Sequence, residues 1–167
     1  MYGIRPELFY PIPSNVYLHK PSFSFNNKFR VWFTIKTLIY LRGMIKKLQP
    51  ASVLSFGEYW NSFVLIALSG LKIKVFVSDR CQPDKSLGKL HNVLRKLLYR
   101  RAKGVIVQTE VAREIYSRSL PGANLFVVGN PIREIVPDDS IVREKIVLSV
   151  GRLINGKHHD ELIKLFV

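Results

Sequence analysis

A chain of 167 residues with 47% hydrophobic and 23% charged residues can bury a sizeable core, and this composition excludes a disordered protein. Its 26 Lys and Arg against 12 Asp and Glu give a net charge of +14, which favours phosphate-bearing partners without choosing among nucleotides, nucleic acid and anionic lipid. The single cysteine, Cys81, excludes an internal disulfide, and no Cys/His spacing indicates a metal site.

The amino-terminal stretch is rich in Pro, Ser and Asn and is predicted to be mostly loop. A helix is predicted from a cap at Asn26 or Asn27 to about Leu48, because apolar residues recur there at helical spacing. Its most apolar part, 31–41, is interrupted by Lys36 and falls short of the ~20 apolar residues that a membrane span needs. We therefore interpret it as a core helix.

Strands and helices are predicted to alternate along the middle of the chain. The strands are 52–56, 73–78, 104–109 and 124–129, and the helices are 60–68, 87–102 and 109–117. Continuous apolar strands between amphipathic helices favour a parallel sheet covered on both faces, and hence a Rossmann-like α/β fold. Ligands of such folds bind beyond the carboxyl ends of the strands.

A linker is predicted at 130–144, which carries two prolines and no apolar periodicity. A buried-type strand over 145–150 and a new helix after it predict the start of a second domain at 145–167. The first domain is then 1–129.

The loop after the last predicted strand has the residues of a diphosphate site. Gly151 allows the backbone to approach a ligand, and Arg152 and Lys157 place two cations near a helix amino terminus. The alternative is that both cations are solvated surface charges. The chain has no Walker motif and no GxGxxG fingerprint, so neither a P-loop nor a dinucleotide site is predicted.

Two earlier loops carry groups suited to sugar chemistry. Glu58, Tyr59 and Asn61 combine a carboxylate, an aromatic face and an amide, which suits an acceptor sugar, although the same residues suit a helix start. Asp79 could act as a base toward an acceptor hydroxyl and Arg80 could hold a phosphate. Alternatively, these two residues form a plain salt bridge.

The basic helix within 85–103 has a leucine stripe with cations mostly off it, which is typical of a solvated face. Its competing role is to rest on an anionic membrane surface. Nucleic acid is not expected as a partner, because only Tyr99 interleaves with the cations. His91, His158 and His159 lack metal-ligand partners, and we interpret them as surface residues.

Five blocks of sequence occur in a specific order between 53 and 166, and they carry a resemblance that covers roughly 26–167. They are VLSFGEYWNS, VFVSDRCQPDKS, LRKLLYRRAKGVIVQTEVAREIY, VVGNPI and VLSVGRLINGKHHDELIKLF. Together they resemble the bacterial glycosyltransferase family 4 proteins that transfer hexose or N-acetylhexosamine residues. Those proteins act in the assembly of lipid-linked oligosaccharides and surface polysaccharides.

This resemblance implies a GT-B fold, in which two Rossmann-like domains face each other across a cleft. It implies that a sugar is transferred with retention of configuration and without a metal. The implied donor is a UDP-linked sugar, and the acceptor is lipid-linked or a polysaccharide. Arg152 and Lys157 match the residues that grip the donor diphosphate, and Asn130–Ile132 matches the crossover between domains. The loops after Phe56 and Val77 would face the acceptor. The implied location is the cytoplasm, peripheral at the inner face of the cell membrane.

The chain departs from the family pattern in three ways. The first strand with its glycine-rich loop is missing, the Glu-rich motif after the first unit of the second domain is missing, and no His occurs near Asp79 and Arg80. We therefore expect a chain truncated at both ends and inactive, or nearly so, in isolation. The alternatives are a basic module that binds membrane or nucleic acid without catalysis, and a nucleotide-sugar epimerase of the same fold.

Overall fold

The computed structural model describes residues 11–132, 134, 140, 142 and 144–166. It divides into two compact units, Met1–Pro131 and Ile132–Val167. This division falls inside the segment 130–144 that the sequence predicts as a linker, in which 133, 135–139, 141 and 143 lie outside the described residues.

The first unit alternates strands and helices. Its strands are β1 (Ser52–Phe56), β2 (Lys74–Ser78), β3 (Gly104–Val107) and β4 (Leu125–Val127), and its helices are α1 (Arg30–Leu48), α2 (Glu58–Ala67), α3 (Lys89–Leu98) and α4 (Glu110–Ser119). The strands form one parallel sheet in the order β1-β2-β3-β4. The predicted Rossmann-like α/β class is confirmed.

Local side-chain chemistry sets the ends of the helices. The Asn26 side chain accepts a hydrogen bond from the Lys28 backbone N–H at 2.9 Å, in a 3-10 turn that leads into α1. Thr109 caps α4 by accepting from the Ala112 N–H at 3.0 Å. α1 ends at Leu48, and Gln49 after it adopts the left-handed conformation (φ 44°) directly before Pro50. The predicted start and end of α1 are thus confirmed to within a few residues.

The hydrophobic core lies on one face of the sheet. Val75 and Val77 of β2 and Val105 and Val107 of β3 alternate along their strands with less buried residues, and all four are buried. They pack with residues of the helices and their ends, among them Leu65, Leu68, Leu98, Tyr99, Tyr116 and Leu120. Sequential parallel strands that step in one direction place right-handed crossover helices on the same face, which explains this one-sided core.

The opposite face of the sheet is apolar and open within the described part of the chain. Leu54, Phe56 and Phe126 are exposed there, and Phe76 and Ile106 are half-buried. The prediction that helices cover both faces is wrong for these residues. The reason is that the strand order has no reversal, and a reversal is what sends later crossovers to the second face.

The second unit has little regular structure in 144–166. Its elements are a 3-10 turn at Asn155–Lys157 and the short helix α5 (His159–Lys164). The predicted strand over 145–150 is wrong, since this segment is irregular and Leu148 and Val150 are 81% and 85% exposed. A strand needs a neighbouring strand for its backbone hydrogen bonds, and 144–166 provides none.

Candidate functional site

Buried polar side chains gather at the carboxyl ends of β1 and β2. Asp79 directly follows β2 and is 2% exposed, while Asn61 on α2 is fully buried. The Asn61 amide donates to Asp79 Oδ1 at 2.7 Å and to the Ser78 carbonyl at 3.1 Å. The Tyr99 hydroxyl donates to Asp79 Oδ1 at 2.6 Å, and the Tyr116 hydroxyl donates to Asp79 Oδ2. We call these four residues, Asp79, Asn61, Tyr99 and Tyr116, the Asp79 cluster.

Burial changes the acidity of this cluster. Removal from water raises the pKa of Asp79 above its ordinary value, despite the hydrogen bonds from Tyr116, Tyr99 and Asn61 that favour the carboxylate. Burial, reinforced by the neighbouring carboxylate, also raises the pKa values of Tyr99 and Tyr116. Both phenols therefore stay protonated at neutral pH and act as donors that join α4 and the turn after α3 to the end of β2.

A second buried carboxylate, Glu58, shapes the loop after β2. Its Oε1 atom accepts hydrogen bonds from the backbone N–H groups of Arg80 and Cys81, both at 2.6 Å. Burial acts to raise the pKa of Glu58, but the backbone hydrogen bonds outweigh it and hold this pKa below its ordinary value. Glu58 is thus an ionised anchor for the loop at neutral pH.

Arg80 extends from this anchored loop toward the edge of the sheet. Its guanidinium lies 5.4 Å from the centre of the Phe56 ring, and its backbone is fixed by Glu58. The expected alternative of an Asp79–Arg80 salt bridge does not form, because the Asp79 carboxylate is bonded to tyrosine and amide groups instead.

A cavity of about 210 Å³ lies beside Arg80 at the ends of β2 and β3. The buried residues Asp79 and Tyr116 line it, and Arg80, Gln108 and Thr109 contribute further polar groups. Gln108 also donates to the Asn130 side chain at 3.0 Å, at the end of the first unit. This is the sheet edge where ligands of parallel α/β folds bind.

The predicted acceptor-facing residues separate into two kinds. Glu58 and Asn61 are buried and bind protein groups, so in this structure they position the loop and the Asp79 cluster. Tyr59 is 48% exposed, and its ring lies edge-on to His91 at 4.8 Å. The prediction of His91 as a surface residue is wrong, because α3 packs on α2 and half-buries this ring between Tyr59 and Phe63.

The second unit holds the predicted diphosphate residues in one loop. A Cβ added at Gly151 would lie 3.3 Å from His159 Nε2 and 3.7 Å from Lys157 Cδ, so both side chains approach the Gly151 backbone. The Lys157 N–H donates to the Ile154 carbonyl at 2.9 Å and closes the turn. Arg152 and Lys157 are both exposed.

Sequence reasoning missed Tyr99, Tyr116 and His159 as site residues. The two tyrosines are separated from Asp79 by 20 and 37 positions, and only the fold brings their hydroxyls to one carboxylate. His159 is half-buried, with Nδ1 3.0 Å from the Ser149 hydroxyl and Nε2 without a partner among the described residues, so its prediction as a surface residue is wrong. The glycine at 151 was the available signal, since a glycine permits such a close approach.

No protein-family model matches the chain. None of the helices in the described residues combines the length and the apolar content needed to cross a membrane. The same residues contain no group of three His, Cys, Asp or Glu side chains that could hold a metal ion.

Proposed function

We propose that the chain is part of a retaining glycosyltransferase that moves a hexose or N-acetylhexosamine from a UDP-linked donor to a lipid-linked or polysaccharide acceptor. The observation that carries the proposal is the Arg80 loop, which lies at the carboxyl edge of a parallel sheet and borders a cavity. Its Arg80 and Cys81 N–H groups are held by the buried Glu58 carboxylate. Buried polar groups that hold a loop beside a cavity are more typical of a ligand-binding site than of a plain surface loop.

In this proposal Arg80 contacts an acceptor phosphate or the transferred group, because it is the cation that borders the cavity. Asp79 positions the loop and the two tyrosines, since both of its carboxylate oxygens already accept hydrogen bonds. The role of Asp79 as a base stays a prediction.

The donor diphosphate would bind in the loop of Gly151, Arg152 and Lys157. Negative charge develops on the leaving diphosphate during transfer, and fixed cations stabilise that charge. No protein-bound metal is needed for this step in the proposal, because Arg152 and Lys157 provide the opposite charge.

An anionic membrane surface is the proposed partner of α3. The exposed side of this helix has an apolar strip with cations along its margin, which suits peripheral binding. The strip is Leu90, Val93 and Leu97, and the cations are Lys89 and Lys96 of α3 and Arg100 of the 3-10 turn that follows it. Peripheral binding at the inner face of the cell membrane would bring the enzyme to a lipid-linked acceptor.

Calorimetric titration with UDP-N-acetylglucosamine, UDP-glucose and uridine tests the donor site. We expect both diphosphate compounds to bind and uridine to bind at least roughly tenfold more weakly. Arg152→Gln with Lys157→Gln should abolish the difference, and Lys164→Gln, in the last turn of α5, is the matched control.

Unchanged affinity in the double variant would contradict the donor site. Binding of anionic vesicles, with no binding of UDP compounds, would favour a non-catalytic membrane module, the second candidate suggested by the strip on α3.

A further inference from the structure

A larger cavity, of about 600 Å³, lies between α1 and α2 in the first unit. Its walls are mostly apolar and include Leu38 and Leu41 of α1 and Trp60, Phe63 and Val64 of α2. This volume falls within the usual range for sites that bind small molecules, and such sites are lined mainly by apolar side chains with a few polar groups.

Arg30, the charged residue of the lining, is at one end of the cavity, and Thr34 and Thr37 add hydroxyl groups farther along α1. Arg30 begins α1, and Trp60 lies in the first turn of α2, where its ring approaches Gly57 at the end of β1. This end therefore lies toward the carboxyl edge of the sheet. Beyond the other end, Arg42 joins the two helices by donating to the Ala67 and Ser69 carbonyls, both at 2.8 Å.

The charge around the cavity selects the kind of occupant. No Asp or Glu occurs between Glu7 and Glu58 in the sequence, although this stretch includes Arg30 and several lysines. Arg30 is exposed and has no ion pair among the described residues. The carboxylate at the start of α2, Glu58, is bonded to the Arg80 and Cys81 N–H groups. An anionic head group at the Arg30 end would therefore meet the positive charge of Arg30.

We propose that this cavity binds the hydrocarbon chain of a single anionic amphiphile, with Arg30 holding its charged head. The apolar length between the helices accepts the chain, and the head remains at the carboxyl edge of the sheet. The proposal goes beyond sugar transfer, because it requires neither a nucleotide sugar nor the second unit.

Quenching of Trp60 fluorescence tests this site in the full chain. The protein has two tryptophans, so Trp32→Phe leaves Trp60 as the only reporter. We expect 12-bromododecanoate, below its micelle-forming concentration, to quench Trp60 saturably at one site. Dodecyl phosphate should displace it, and inorganic phosphate should not.

Three variants in this background separate chain binding from head binding. Thr34→Phe places a ring in the cavity and should weaken bromododecanoate at least roughly tenfold, because it fills space that the chain needs. Arg30→Gln should weaken it by about three- to tenfold and leave dodecanol unaffected. Lys47→Gln, an exposed cation in the last turn of α1, is the matched control and should change nothing.

The proposal is overturned if quenching is not saturable, or if Thr34→Phe folds and binds as well as its parent. Arg30→Gln provides a second test of the proposed site, since this exposed residue can be changed without disturbing the fold. Leu90→Ser with Val93→Ser on α3 distinguishes a bilayer surface: it should reduce vesicle binding and leave quenching by monomeric bromododecanoate unchanged. If this α3 variant lost vesicle binding and bromododecanoate quenching in parallel, the proposal would also be overturned.

Discussion

At the scale of single residues, Asp79 organises the carboxyl edge of the sheet. One carboxylate accepts hydrogen bonds from Asn61, Tyr99 and Tyr116 and thereby joins α2, the end of α3 and α4 to β2. Sequence reasoning located Asp79 and Arg80 at a strand end, because the strand before them is a plain apolar run. The partners of Asp79 were beyond prediction, since they depend on how the helices pack.

The raised pKa of Asp79 predicts a pH-dependent stability. Between the ordinary value of 3.8 and the higher folded value, the folded protein keeps a proton that the unfolded chain has released, so stability falls as pH rises. The contribution of Asp79 to the free energy of unfolding is fully present below pH 3.8. As pH rises above 3.8, this contribution is lost at a rate of at most about 1.4 kcal/mol per pH unit.

Urea unfolding of the protein and of Asp79→Asn, from pH 3.5 to 7, measures this effect. The difference in unfolding free energy between the two should decline with rising pH. Asp84→Asn, at an exposed aspartate, should preserve the parent's slope. A difference between parent and Asp79→Asn that is constant across this range would contradict the assignment.

Glu58 gives a second prediction. Glu58→Ala leaves the Arg80 and Cys81 N–H groups without their acceptor and should cost about 2–3 kcal/mol of stability. Glu58→Gln retains an acceptor oxygen and should cost less. Amide hydrogen exchange at Arg80 and Cys81 should accelerate in the Ala variant, whereas Glu114→Ala, at an exposed glutamate, should leave both amides protected.

The pKa of Glu58 is shifted in the opposite direction to that of Asp79, so its effect on stability changes with pH in the opposite way. Its stabilising contribution is present above the ordinary value of 4.5 and is lost as pH falls through the folded value. The two carboxylates therefore have opposite effects, because the Glu58 contribution to stability grows as pH rises, whereas the Asp79 contribution declines.

At the scale of elements, the strands and helices of the first unit were predictable from periodicity and caps. β1 to β4 coincide with the predicted apolar runs, and Thr109 caps α4 as its position indicates. The strand over 145–150 failed because an apolar run specifies a strand only where a neighbouring strand can pair with it. The prediction that helices cover both faces of the sheet was wrong for a related reason. Coverage depends on strand order, which is a tertiary property.

Gly104 at the start of β3 gives an element-scale prediction. A Cβ at this position would lie 2.5 Å from the Phe126 ring of β4, closer than atoms can pack. Gly104→Ala should therefore lower the unfolding free energy by about 1–3 kcal/mol. Combining it with Phe126→Ala should recover much of that loss, which a double-mutant cycle in urea would measure. Additive effects of the two substitutions would contradict the predicted collision.

At the scale of the whole molecule, the buried core belongs to one unit. Every buried apolar residue in the described chain lies between Leu65 and Leu120. The two compact units meet in sequence at Pro131 and Ile132. We therefore expect a chain ending at Pro131, which contains all of these buried residues, to unfold in urea in a cooperative transition. A gradual loss of structure with increasing urea would contradict this expectation.

The proposed sugar transfer depends on the donor loop, which contains Gly151, Arg152 and Lys157. An NMR titration of the ¹⁵N-labelled full chain with uridine diphosphate tests it most directly. We expect saturable shifts in the amide signals of Gly151, Arg152 and Lys157, reproduced by pyrophosphate and absent with uridine. An absence of saturable shifts in that loop, or shifts confined to the cations of α3, would contradict it.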